Sequence, residues 1–452
     1  MARERRFRRM VSAGAREGFV DEREAQQPGV VEETLLEPTI PSAGALPPHV
    51  LTIRPFFWVV LGVGVGGFAF WGFLAAVFAQ AAYAYDASSA QMAILGLSIS
   101  APYALLIPFQ GMVVDRWSPK WMNLCGYFVL VAAVGAALAA SSIVWLYASS
   151  FLVGIAFATI EPARSSLVGL LVEERQLVQA NGTISAASQT SLMLGTLGGG
   201  LLMDAVGTDA IYAVALGASL LAISLNLVVP DVRHGGKRPA IGLHDLAEGL
   251  RTAAHQPDLR LDLTILCLGW LAVTIFFVLE PLFIRETLGR GESAVSFMWF
   301  VHGVGAFVGA ILVSRVRSAV GRELVYVAGG VAAAGAGLVL FASTSSYAVA
   351  FAGEALMGAG FSFIFAPTLA LIQRVAGEEQ RGRVTSIFGA LQETMGIVSA
   401  LTLLVLGSLV VVRPTILGAG AVVIVVGLLG LRAARLRISE AGSRREAGGS
   451  RP

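Results

Sequence analysis

Glu354, Glu393, His302 and Glu280 lie inside long apolar runs of a 452-residue chain, away from the tails and short loops that hold most of its charge. An ionised side chain deep in such a run costs roughly 2.5–3.5 kcal/mol or more unless it is paired or neutralised. Reversible protonation is the chemistry these residue types favour there. Burial raises a carboxyl pKa and lowers that of an imidazole, so either kind of group can be brought to titrate near neutrality. Glu354, Glu393 and His302 are therefore the candidates for proton coupling, each against a plainer role as a hydrogen-bonded packing residue among neighbouring glycines. Glu280, directly before Pro281, falls near the end of its run and is expected to meet headgroups or water at the edge of a cavity.

Aromatic residues recur through the same runs: Phe70, Trp71 and Phe73, then Phe157, then Trp270, Phe276, Phe277 and Phe361. With the neutral polar groups of Gln80, Tyr103 and Gln189 they would form a shape-tolerant pocket. Such a pocket with a few carboxylates suits amphipathic or cationic organic molecules, although most aromatics in such runs face lipid or a neighbouring helix. Other chemistry finds no support. No nucleophile and base stand at a recognisable spacing, so no enzyme is expected. The phosphate-binding pattern G-x-x-x-x-G-K-[ST] is absent, which leaves an ion gradient as the energy source and no cofactor or metal. Cys125 and Cys267 stand far apart within apolar runs, as small buried hydrophobes and not as a disulfide or zinc pair. No basic patch suits nucleic acid.

The elements that must position these groups follow from composition. Hydrophobic residues make up 56% of the chain and charged ones 14%, against about a quarter charged in a soluble protein. The bilayer is then the solvent. About 20 apolar residues cross a hydrocarbon core of roughly 30 Å. Such runs fall near 56–83, 90–114, 121–141, 144–163, 178–203 and 209–229, and again near 261–284, 293–314, 323–342, 347–372, 384–409 and 414–434. The expectation is an all-α membrane protein with twelve transmembrane helices in two pseudo-symmetric six-helix bundles. Residues 1–54 read as a polar, disordered cytoplasmic tail, 55–230 as the first bundle, 231–260 as a cytoplasmic central loop, 261–435 as the second bundle and 436–452 as a cytoplasmic tail. Of the 32 Lys and Arg, all but Arg285, Arg290 and Arg413 fall on one side of this arrangement. The positive-inside rule therefore places both termini in the cytoplasm.

The halves resemble each other. GIAFATIEP at Gly154 to Pro162 is similar to GAGFSFIFAP at Gly358 to Pro367. Glu173-Glu174 aligns with Glu378-Glu379, Asp115-Arg116 with Ser314-Arg315, and LAASS from Leu138 with LFAST from Leu340. A collinear series at a near-constant offset points to two repeats with a substrate site at their interface.

The most specific motif is Gly111-Met-Val-Val-Asp115-Arg116-Trp-Ser-Pro119-Lys120, after the second run. A glycine permits close helix approach, an aspartate can accept from the free amides of a neighbouring helix N-terminus, and Arg116 and Lys120 add positive charge. This stretch resembles the loop motif G-x-x-x-D-R-x-x-[GP]-[RK] of the major facilitator superfamily. The resemblance implies alternating access, with Asp115 facing the eleventh span near Val384 and Glu161 joining Asp115 and Arg116 in an inner latch. Glu161 can instead simply pair with Arg164, three residues on along the same helix face. Gly195-Thr196-Leu-Gly-Gly199-Gly200 resembles the G-P-x-x-G-G antiporter motif with Thr196 in place of proline, or serves plain glycine packing. With ANGTISAASQ and GRVTSIFGALQ, these features look like the macrolide-efflux and enterobactin-exporter branch. The expected function is proton-coupled efflux of a drug-like or siderophore-like molecule from a bacterial inner membrane. The chain would act as a monomer whose partners are the small substrate and membrane lipids. A nutrient importer and a non-transporting receptor are the rivals.

Overall fold

The computed structural model describes residues 49–232, 248, 250–251, 253–315, 322–375 and 378–448, all within one compact unit spanning 48–452. The N-terminal tail up to residue 48 and most of the central loop lie outside the described residues. In lipid each backbone N–H and C=O must be satisfied within its own segment, so apolar runs of this length become helices. The first half holds α1 (Arg54–Tyr83), α2 (Ser89–Arg116), α3 (Pro119–Leu138), α4 (Ile143–Leu171), α5 (Leu177–Ala205) and α6 (Thr208–Leu227). The second holds α7 (Pro257–Glu286), α8 (Ser293–Arg315), α9 (Glu323–Ser343), α10 (Tyr347–Val375), α11 (Glu378–Leu406) and α12 (Val412–Gly448).

Eleven helices among the described residues are long and apolar enough to cross a membrane, and α5 is not one of them. Its sequence carries Gln179, Asn181, Thr183, Ser185, Ser188 and Gln189, polar residues that lower its apolar character without shortening it. Two boundaries differ from expectation. Helix α11 begins at Glu378 and not near Val384, and α12 continues past the expected end of the span to Gly448. Neither run contains a proline after Pro414 or a glycine cap that would stop it earlier. Cys125 is also not buried: both cysteines are free, and Cys125 is exposed on the same stripe of α3 as Trp121 and Phe128.

The repeat is visible in packing as well as in order. In the first half α1 packs on α5 and α6, α3 on α4 and α6, and α2 on α4. In the second half α7 packs on α11 and α12, α9 on α10 and α12, and α8 on α10. The halves meet where α2 lies on α11 and α5 on α8. Helices α4 and α10 are both 29 residues long, and each has an internal proline, Pro162 and Pro367.

Candidate functional site

Polar contacts close the two halves against each other at the end where α1, α5 and α7 finish. Tyr83 Oη donates to the carbonyl of Arg290 at 2.8 Å, and Thr208 Oγ1 donates to Glu292 Oε1 at 2.8 Å. Arg285 reaches from α7 to the carbonyl of Ala82 and pairs with Asp86 Oδ1 at 2.6 Å. Ser293 Oγ lies 3.3 Å from Asp204 Oδ1. This is the sealed end.

Below the seal a cavity of about 780 Å³ lies between the halves and runs toward the opposite end. Its floor is apolar, with Phe78 packed on Trp299 at 5.9 Å between ring centroids. Farther from the seal its two walls differ. The first half contributes Trp71 but also Glu161 and Arg164 of α4 and Ser185, Ser188 and Gln189 of α5. The second half contributes Trp270, Phe277, Phe361 and Phe365. These rings form one cluster, with Trp270 at 5.5 Å from Phe361 and Phe361 at 6.1 Å from Phe365. Helix α5 thus turns toward the cavity the polar residues that deprive it of a strongly apolar sequence.

Glu161 and Arg164 pair with each other at 2.5 Å near the mouth, as their i, i+3 spacing allows. The surroundings of Gly111, Asp115 and Arg116 lie outside what the structure describes, and with them the latch expected of Asp115 and Arg116 with Glu161. The rest of the motif is structural. Pro119 opens α3, where its missing N–H is not needed, and Lys120 Nζ donates to the carbonyl of Leu227 at the end of α6, 2.8 Å away.

The other polar candidates divide. Gln189 lines the cavity, whereas Gln80 is turned away and accepts a hydrogen bond from Tyr212 Oη at 2.7 Å. Phe157 and Tyr103 are also displaced from the cavity lining: Phe157 packs between Phe70, at 5.2 Å, and Tyr103, at 5.6 Å. Phe73 and Phe276 are fully buried against Tyr212 and Phe341. Glu280 does not meet the surroundings of the protein. It is fully buried within the second half, where its Oε2 accepts from Trp299 Nε1 at 2.9 Å.

Glu354, on α10, is likewise fully buried, with Oε1 at 2.9 Å from His302 Nδ1 of α8. The imidazole lies between Phe277 and Phe361 at 5.6 and 5.2 Å and reaches the cavity with its remaining edge. Gly358 makes this possible, because a side chain there would meet the backbone N of Ala306 at 3.0 Å and hold α8 away from α10. Glu393 sits elsewhere, half-buried on α11 and facing Ser100 of α2 across the junction of the halves.

The antiporter-like stretch on α5 is a crossing point. A side chain at Gly195 would meet the carbonyl of Phe68 at 2.7 Å, one at Gly199 would meet Ile211 at 2.9 Å, and one at Gly200 would meet the Phe297 ring at 3.0 Å. Thr196 is buried and returns its hydroxyl to the carbonyl of Leu192 at 2.7 Å. Helices α1, α5 and α8 converge here. Sequence reasoning missed Phe78, Trp299 and Phe365 in the lining and also the buried Asp262, which accepts from Thr368 at 3.3 Å. Uniformly apolar helices give no periodic signal that distinguishes a cavity face from a lipid face, but Asp262 was legible as an acid at the start of an apolar run.

Comparison with known proteins agrees with this architecture. Over 379 residues the chain is 24% identical to YfiS of Bacillus subtilis (strain 168), an uncharacterized MFS-type transporter, covering 80% of this chain and 88% of that one. It is 28% identical over 299 residues to the lysophospholipid transporter LplT of Pectobacterium carotovorum subsp. carotovorum (strain PC1), covering 62% of this chain and 68% of LplT. Among solved structures, the nucleoside transporter NupG superimposes with a TM-score of 0.68 at 12% identity, over 84% of this chain and 99% of NupG. A bacterial homologue of the human lysosomal transporter Spinster, inward-facing and unoccupied, gives 0.63 at 14% identity, over 85% of this chain and 97% of that one. The Major Facilitator Superfamily profile matches residues 56–400. With twelve long helices among the described residues in two matched sets around a central cavity, and a profile match over most of its length, this multi-pass membrane protein is a transporter that belongs to the Major Facilitator Superfamily.

Proposed function

We propose that the chain exports an amphipathic organic molecule, drug-like or siderophore-like, across a bacterial inner membrane in exchange for protons. The observation that carries this reading is the cavity, which is closed at one end by contacts between the halves and bounded by a polar wall facing an aromatic one. The charge bias of the loops supports an outward-facing sealed end and a mouth at Glu161 and Arg164 that faces the cytoplasm. A substrate entering there lays its polar side on α4 and α5 and its apolar side on α7 and α10. Rocking of the halves about the α2–α11 and α5–α8 contacts then breaks the seal and releases it. The chain acts as a monomer without cofactor, driven by the proton gradient, with both termini in the cytoplasm. The GTLGGG stretch of α5 supports the drug-exporter branch.

The opposed walls also suit a lysophospholipid, which joins one acyl chain to a compact polar head, and LplT is a relative of that stated activity. Purified full-length chain in proteoliposomes separates the readings. Accumulation of ethidium in vesicles with an acidic lumen, above that in empty liposomes, supports proton antiport of a lipophilic cation. Gradient-driven movement of lysophosphatidylethanolamine in place of ethidium supports the lipid reading. Uptake only from an acidic exterior indicates a symporting importer, and movement of neither probe under either gradient favours a receptor or scaffold and overturns export.

A further inference from the structure

A second cavity lies on the flank of the second half and shares no lining residue with the central one. Three elements build it: Leu250 and Ala253 of a helical stretch in the central loop, Arg260, Cys267 and Leu268 of α7, and Leu391 of α11. It measures about 290 Å³. Pockets that enclose a drug-sized ligand run to roughly 300–1,000 Å³, so this one has room for part of an acyl chain and little more. On α7 its lining residues Arg260, Thr264, Cys267 and Leu268 recur at i, i+4, i+7 and i+8, one stripe of the helix. Thr264 returns its hydroxyl to the carbonyl of Arg260 at 2.7 Å, which leaves the stripe beyond the arginine apolar. Trp270 and Thr274 of the same helix face the central cavity instead, and Thr274 Oγ1 meets Ser399 Oγ of α11 at 2.5 Å. Helix α7 thus presents different faces to the two spaces.

Depth along α7 sets what this groove meets. Arg260 and Arg285 are 25 residues apart on the helix, about 37 Å at 1.5 Å per residue, against roughly 30 Å for a hydrocarbon core. Arg285 belongs to the seal, so Arg260 stands at headgroup level on the mouth side. Cys267 and Leu268 lie about 10–12 Å deeper, among acyl chains. The charge is one-sided. Both acids that flank Arg260 on α7 are engaged elsewhere: Asp258 pairs with Arg437 of α12 at 2.8 Å, and Asp262 is fully buried and accepts from Thr368 of α10. Among the described residues the exposed guanidinium of Arg260 has no hydrogen-bond or ion-pair partner, and neither has that of Arg251, next to Leu250. An arginine fork with no protein acceptor matches a phosphate group bidentately.

We propose that this groove is a binding site for one phospholipid of net negative charge from the leaflet on the mouth side, its phosphate on Arg260 and the first part of one acyl chain along Cys267, Leu268 and Leu391. The unpaired arginines select net charge, because the ammonium of a zwitterionic headgroup finds no free acid beside them. The bound lipid bridges the central-loop helix to α7 and α11, three elements that meet nowhere else in this groove. The site is independent of what the central cavity carries and of the ion that drives it.

The two thiols of the chain provide the test. Cys267 lines the groove, and Cys125, exposed on α3, is an internal control. Purified full-length chain in detergent is treated with N-ethylmaleimide alone or with phosphatidylglycerol, phosphatidylcholine or inorganic phosphate, and labelling at each cysteine is followed by mass spectrometry. Phosphatidylglycerol should slow Cys267 about fivefold or more relative to phosphatidylcholine and leave Cys125 within about twofold. Arg260→Gln should abolish the difference between the lipids, whereas Arg260→Lys, which keeps the charge, should retain most of it. Native mass spectrometry should show one phosphatidylglycerol held by the wild-type chain and lost from Arg260→Gln. Equal protection by both lipids, or equal slowing at both cysteines, would mean that charge does not select the occupant, and the site falls. Slowing by inorganic phosphate as strong as by lipid would leave the acyl chain no part in it. A Cys267 already unreactive without lipid would mean that the chain's own central loop fills the groove, and this too overturns the site. The contrast between the lipids and the lipid count are read on the wild-type chain, so both survive a variant that does not fold.

Discussion

The first half of the molecule places an ion pair at the cavity mouth, and the second half buries three of its acids completely. Glu161 and Arg164 pair at the cavity mouth with 34% and 16% of their side chains exposed, flanked by the hydroxyls of Ser185 and Ser188. Across the cavity the surface is aromatic, and three acids of that half, Glu280, Glu354 and Asp262, are fully buried. The contact pattern of the helices is the same in both halves, so the difference lies in single positions. Ser150 stands as far into α4 as Glu354 stands into α10, and Ile99, whose carbonyl faces Gly154 as that of His302 faces Gly358, takes the place of His302 in α2. Ser150 is itself buried. One scaffold used twice can thus hold a hydroxyl at Ser150 in one copy and, in the other, a carboxyl at Glu354 that reaches the imidazole of a neighbouring helix.

The sharpest way to break this division is Gly358→Val. Its side chain would collide with the backbone of α8, costing about 1–3 kcal/mol or more and parting His302 from Glu354. Thermal unfolding followed by size exclusion should show a large loss of stable monomer, whereas Gly64→Val in the first half, with open space around it, should show none. Next in size is Trp270→Ala. Loss of its apolar contact is worth roughly 1.5–3 kcal/mol, so binding of lysophosphatidylethanolamine should weaken about tenfold or more, against a few-fold for Gln189→Ala. Equal losses at the two positions would mean that the walls are not specialised.

Arg285→Ala should have a smaller effect. Its partner Asp86 has an 89% exposed side chain, so the ion pair contributes about 1 kcal/mol at most. Spin labels at Ala84 and Glu286 should report a few-fold rise in the population with the sealed end parted. The smallest change is expected of Glu161→Gln. The neutral amide can still accept a hydrogen bond from the largely buried Arg164, and ethidium transport should fall less than about fivefold. A larger fall would mean that charge in the first half does more than grip.

The fold was legible because helix length and apolarity are properties of runs, and lipid permits few other solutions. Even α5 was found, since its polar residues interrupt an apolar run without breaking it. The site was legible only in part. Glu354 and His302 could be singled out separately as ionisable groups in apolar runs, but their contact joins α8 to α10, and no spacing within one helix predicts it. Glu280 was misplaced because depth along a helix was read as exposure, whereas the protein around it is thick at that level. Gln80, Tyr103 and Phe157 were credited to the cavity because a helix apolar on all sides does not announce which face looks inward. The end of α12 failed for a simpler reason: its charged residues Arg432, Arg435 and Arg437 end the apolar stretch without ending the helix.

Helix α5 has a consequence for how the protein is made. Its polar stripe of Ser185, Ser188 and Gln189 lowers its apolar character below that of the other eleven long helices. Its close glycine crossing with α1, at Gly195 and Gly72, offers a partner already synthesised and already in place. Gly72→Leu, which would fill that crossing, is therefore expected to appear first as a misinserted protein in a protease-protection assay and only then as an inactive one.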